Sequence, residues 1–120
     1  MNSSEPNKSQ VIWPAIIHYH GQGELTFIAN QASWENGEYL QAIHYHASDA
    51  LIDAEGSLYQ ILNIASGEVS LQRLNKKASL QEVIGMIRAH AAELGACCVA
   101  KFSATSIHEA INSIANSADG

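Results

Sequence analysis

Ser79-Leu80-Gln81-Glu82-Val83-Ile84-Gly85-Met86-Ile87-Arg88-Ala89-His90-Ala91-Ala92-Glu93-Leu94-Gly95 runs directly into Ala96-Cys97-Cys98-Val99-Ala100-Lys101-Phe102. Ser79 with Glu82 is a capping box: the serine oxygen accepts from the third helical amide, and the glutamate side chain accepts from the serine amide. Leu80, Ile84, Ile87, Ala91 and Leu94 recur at three- and four-residue steps with Val83 beside them, while Gln81, Glu82 and Glu93 fall elsewhere around the turn. That pattern predicts an amphipathic helix. Gly95 closes it, since glycine carries no side-chain penalty at positive φ. Residues 96–102 are too few for a helix and carry a single charge, Lys101, so they read as a strand covered on both faces. Ser106 with Glu109 repeats the capping-box spacing, and Ile107, Ala110, Ile111 and Ile114 form a second apolar stripe, predicting a helix over 107–116.

Upstream, residues 1–10 are polar and aperiodic and are expected to be a flexible leader. Residues 11–20 read as a strand, with Pro14 placing its start at a sheet edge or delaying it past the proline. Gly21-Gln22-Gly23 is a turn, and residues 24–29 read as the hairpin partner. Residues 31–48 read as a loop with one short helix carrying Trp34 and capped by Ser33. Leu51-Ile52, the turn Asp53-Ala54-Glu55-Gly56 and the run 57–62 form a second hairpin. Residues 68–74, where Val69 and Leu71 alternate with Ser70 and Gln72, add a third strand, and Asn75-Lys76-Lys77 is the expected exit loop. The sum is an α+β layout: a mostly antiparallel sheet of five or six strands, the last after the main helix, with two main helices on one face. The folded unit is expected over 11–116, with a flexible tail at 117–120. If strands 68–74 and 96–102 pair, the helix between them makes the pair parallel and its crossover right-handed.

With 120 residues the chain fits one domain, which buries roughly two thirds of its unfolded surface without a metal or disulfide. A net charge of -6, with six lysines and arginines in all, argues against nucleic acid or an anionic membrane as partner. No apolar run approaches the ~20 residues of a membrane span, and Met1-Asn2-Ser3-Ser4-Glu5-Pro6 lacks the basic-then-apolar order of a signal peptide, so a cytoplasmic protein is expected. The two cysteines, Cys97 and Cys98, are adjacent and point to opposite faces of a strand; they read as free thiols.

One echo stands out: Ile17-His18-Tyr19-His20 and Ile43-His44-Tyr45-His46. In a strand, each tripeptide presents two imidazoles on one side and a tyrosine on the other. His18, His20, His44 and His46 could thus supply four neutral nitrogens to zinc, nickel or copper. Surface or structural histidines are the preferred reading, because spacing meets only the ligand-count test. His90 and His108 read as boundary and surface residues. Gly21-Gln22-Gly23 lacks the third glycine and following helix of a phosphate loop. Asp49, Asp53 and Glu55 fail the calcium-loop pattern and read as a solvated turn. No G-x-S-x-G elbow occurs, and neither cysteine has a setting that would lower its pKa, so no catalytic residue is assigned. Trp13, Trp34, Tyr19, Tyr39 and Phe27 read as core aromatics.

Ile12-Trp13-Pro14-Ala15-Ile16-Ile17, Leu51-Ile52-Asp53 and Gly95-Ala96-Cys97-Cys98-Val99-Ala100-Lys101 resemble a small family of gammaproteobacterial proteins of unknown function, over most of the chain from Val11 onward. The resemblance implies a bacterial cytoplasmic setting and no activity, cofactor or site residue. The expected function is a small non-catalytic module that binds another protein or a copy of itself through a sheet edge or apolar patch. The alternative is a transition-metal protein using the four histidines.

Overall fold

The computed structural model describes residues 11–19, 21, 23–36, 45–46, 48–63, 69–95 and 103–118. Along the chain come β1 (Ala15–His18), β2 (Leu25–Ile28), α1 (Gln31–Asn36), β3 (Ala50–Ile52), β4 (Ser57–Asn63), β5 (Val69–Lys77), α2 (Leu80–Glu93) and α3 (Ile107–Ala118). The strands form one sheet in the order β2-β1-β3-β4-β5, with every pairing antiparallel. The architecture is therefore the expected α+β one.

The run Ala15-Ile16-Ile17 has no polar gap because both faces of the sheet are covered. Ile16, Leu25 and Ile52 pack with Val83 and Ile87 of α2 and with Ala110, Ile111 and Ile114 of α3. Ala15, Ile17, Ile28 and Leu51 pack on the opposite side with Trp34 of α1, Tyr45, Tyr59 and Ile61. The two main helices thus share one face, as their stripes require. Burial of Val83, Ile84 and Ile87 removes three aliphatic side chains from water. Each such removal is worth roughly 1.5–3 kcal/mol, an upper bound that exceeds what the cap contributes.

Helix ends follow local chemistry, with two departures from expectation. In α2 both halves of the capping box are made: Glu82 N–H donates to Ser79 Oγ at 3.1 Å, and Ser79 N–H to Glu82 Oε1 at 2.8 Å. Gly95, at φ 77, follows the last turn, and its N–H donates to the Ala92 carbonyl at 3.0 Å. In α3, Ser106 Oγ accepts from Glu109 N–H at 3.1 Å, but Glu109 Oε1 turns to Thr105, accepting from its N–H at 2.8 Å and its hydroxyl at 2.7 Å. Two donors on one residue outcompete the single Ser106 amide, and they hold the Glu109 carboxyl below the usual carboxylate range. Helix α1 is capped by Asn30, whose Oδ1 accepts from Ser33 N–H at 2.8 Å. Ser33 is the third helical residue and not the cap, because Asn30 reaches the amide first.

The proline before β1 marks no edge. β1 lies inside the sheet between β2 and β3, and it begins after Pro14. Asn75, Lys76 and Lys77 belong to β5 and not to an exit loop: Arg73 faces Tyr59, the register then shifts, and Lys77 faces Ser57. An edge strand in water accommodates such polar residues, and a bulge bends it without ending the pairing. At the far side of the sheet, α2 ends against the β1–β2 turn. Leu25 N–H donates to His90 Nδ1 at 2.9 Å, and a Cβ on Gly23 would lie 2.7 Å from Glu93 Cγ. The predicted strand 96–102, its pairing with 68–74, the leader 1–10 and residues 119–120 lie outside the described residues. No helix among the described residues is long and apolar enough to cross a membrane.

Candidate functional site

Three places gather polar chemistry, and the first is where the echoed tripeptides meet. β1 and β3 pair with His18 opposite Ala50, so Tyr19 follows directly beyond the paired segment. On the other strand, Asp49 folds the chain back onto His46: Asp49 Oδ2 accepts from His46 N–H at 2.8 Å, and Asp49 N–H donates to the His46 carbonyl at 2.9 Å. This clamp lays Tyr45, 2% exposed, against Tyr19. The rings stack with centroids 6.4 Å apart and planes 6° from parallel. Tyr19 also shares a 2.9 Å hydrogen bond with Thr26 across the β1–β2 hairpin.

The structure therefore brings the tripeptides together through their tyrosines. His18 ends β1, half-buried, in register with Leu25 on the helix-covered side. His46 is exposed, and its Nδ1 accepts from Ser48 N–H at 2.9 Å, which puts the ring proton on Nε2. A metal at Nε2 would require that hydrogen bond to be given up. His20 and His44 lie outside the described residues. Among the described residues no group of three or more histidine, cysteine, aspartate or glutamate side chains could hold a metal ion. His90 is a boundary residue, as expected, with a structural partner in Leu25 N–H. His108 is exposed.

The second place was missed from sequence. Asp49 and Asp53, expected in a solvated turn, are buried, and Asp53 is 0% exposed. Asp53 Oδ1 accepts from Glu55 N–H and Ser57 N–H, each at 2.9 Å. Its Oδ2 accepts from Ile12 N–H at 3.1 Å and, more weakly, from the Tyr59 hydroxyl at 3.5 Å. The carboxylate closes the β3–β4 turn and ties the segment before β1 to it; Ala54 N–H adds a 2.9 Å bond to the Ile12 carbonyl. The signal available beforehand was the aspartate opening a short turn two residues ahead of an amide it can cap. Burial pushes the Tyr59 phenol above the usual tyrosine range, and the adjacent Asp53 carboxylate adds to the push, while Arg73 opposes it. With four donors around it, Asp53 is committed to the fold and has no lone pair left for a substrate.

The third place is the outer edge of β5. Among the described residues β5 pairs only with β4, whereas the other edge strand, β2, has α1, α2 and α3 against it. Val69 and Leu71 are half-buried toward the aromatic face, whereas Arg73, Lys76 and Lys77 are exposed. Arg73 is steadied by a 3.3 Å bond from its guanidinium to Ser57 Oγ. Three of the chain's six lysines and arginines therefore stand within five residues on a strand that has one neighbour among the described residues, in a molecule of net charge -6.

A family model named DUF4144, described as a protein structure with unknown function, matches residues 13–114. The NMR structure of a protein from Shewanella amazonensis is similar at TM-score 0.67 and 24% identity, covering 100% of both chains. At that identity the likeness carries the fold alone. A search of curated proteins returns no match. The likeness to a family of unknown function expected from residues 12–17, 51–53 and 95–101 is shown by the family match.

Proposed function

The chain belongs to the DUF4144 family, and from that premise we propose that it is a non-catalytic binding module that presents the open edge of β5 to an extended polypeptide, either a partner protein or a second copy. One observation carries this reading: among the described residues β5 is the longest strand, with nine residues, and it has a neighbour on one side only. An unpaired edge offers a row of main-chain donors and acceptors that an added strand can satisfy. A reducing cytoplasm suits the adjacent thiols of Cys97 and Cys98 and is part of the same reading.

Sedimentation equilibrium over a concentration series, combined with amide hydrogen exchange, tests it. Addition of a strand slows exchange at residues 69–73, on self-association or with an extended valine and threonine peptide. A strict monomer whose residues 69–73 exchange unchanged with every peptide tried refutes it.

A second reading, zinc, nickel or copper held by His18, His20, His44 and His46, is favoured by the stacking of Tyr19 on Tyr45, which joins the two tripeptides at their centres. Titration with each metal, followed by the histidine NMR resonances, decides it. A shared site moves all four imidazoles together and frees the Ser48 amide; independent or absent responses remove this reading.

A further inference from the structure

We infer that the segment docking on β5 is an acidic extended peptide, an inference that rests on the edge-binding reading above and adds its chemistry. The strand is a basic island on an acidic protein: Arg73, Lys76 and Lys77 are exposed at its second half, and the net charge of the whole is -6. Arg73 donates to Ser57 Oγ of the neighbouring β4 at 3.3 Å, so Lys76 and Lys77 are the cations left to meet a docked peptide. A peptide laid along β5 meets a half-buried, apolar first part, Val69 and Leu71, and then the cations. The matching ligand alternates β-branched residues with glutamate or aspartate, so that main-chain pairing supplies affinity and the carboxylates set the register.

Charge also decides between a partner and a second copy. Two-fold pairing of β5 with β5 centred on residues 73–77 places cations against cations, and like charges directly opposite are destabilising in a ladder. An acidic peptide faces the cations with opposite charge instead.

The test uses the full chain and three synthetic peptides of one length, alternating valine and threonine with glutamate, glutamine or lysine. Backbone amide shifts locate binding, and each Kd is measured at low and high salt. The glutamate peptide is expected to bind about tenfold tighter than the glutamine one, the effect of a few exposed ion pairs, with the lysine peptide weakest and the preference fading at high salt. K76Q/K77Q, with Arg73 and its Ser57 contact intact, is expected to lose most of the preference while its unbound spectrum stays folded. Equal binding of the glutamate and glutamine peptides at β5 overturns the acidic-partner inference but leaves edge binding standing. Acidic-peptide shifts that map away from β5, or a β5-mediated dimer that excludes the peptides, overturn it as well. If no peptide touches β5 and the chain is monomeric, edge binding itself falls, and this inference with it.

Discussion

Replacing Asp53 with asparagine removes one charge and one acceptor while leaving the shape almost unchanged. Oδ1 serves Glu55 N–H and Ser57 N–H at 2.9 Å, so the amide oxygen is held on that side. The new NH2 then faces Ile12 N–H, formerly bonded to Oδ2 at 3.1 Å, donor against donor. Tyr59 can turn its hydroxyl to accept from the NH2, so that contact survives in reversed sense. The net loss is one hydrogen bond to a charged acceptor, with a partly buried amide left unsatisfied, for which about 2–3 kcal/mol is expected. Asp53→Ala strands three backbone amides and is expected to cost about 4–6 kcal/mol, a large part of the 5–15 kcal/mol typical of a domain. Urea unfolding of both variants measures these costs, and amide exchange at Ile12 reports the local one. If Asp53→Asn stays within about 0.5 kcal/mol of the parent and Ile12 exchange is unchanged, the carboxylate does not organise the turn, because a change that small is typical of featureless surface positions.

Gly56→Ala is expected to destabilise by about 2–4 kcal/mol, since φ is +87 and the new Cβ would lie 2.6 Å from the Ala78 carbonyl oxygen and 2.8 Å from Ile107 Cδ1; thermal unfolding of the variant reads this directly. Ser79→Ala is expected to cost about 1 kcal/mol, as it removes the Oγ that accepts from Glu82 N–H while the bond from the residue 79 backbone N–H to Glu82 Oε1 is kept; an unchanged denaturant midpoint contradicts the cap assignment. Because the Tyr59 phenol is raised in the fold, its contribution is complete below the unfolded tyrosine value of about 10 and is lost as pH climbs through the folded value. Tyr59→Phe should therefore flatten the alkaline loss of stability. In the parent, a tyrosinate absorbance titration should show one of the four tyrosines ionising late.

The legible parts of the fold were those written in neighbouring residues. Ser79, Glu82 and Gly95 bound α2 by chemistry that acts within four residues, and the stripe Ile84-Ile87 needs only the helical period. The turn over 53–56 was legible in the same way, but the burial of its Asp53 carboxylate was not. An acidic residue before glycine looks identical whether its carboxylate faces water or its own turn, and what buries it includes Ile12, which the fold alone brings near. The echoed tripeptides were visible, but their meeting depends on the β1–β3 pairing and on the Asp49 clamp, neither of which leaves a periodic mark. Residues 75–77 were misread because polarity signals a loop only where a strand has a dry face to fill, and beyond Arg73 the edge of this sheet has none.

Gly56 is also a place where distant parts of the chain close on one another. Its carbonyl accepts from Ala78 N–H at 2.8 Å, just ahead of α2, and its open α-carbon abuts Ile107 at the start of α3. The β-ribbon and the onsets of both helices meet there, so detaching either helix breaks a contact to the turn. Such a keystone favours all-or-none melting over piecemeal fraying, and calorimetric and van't Hoff enthalpies for this domain should agree.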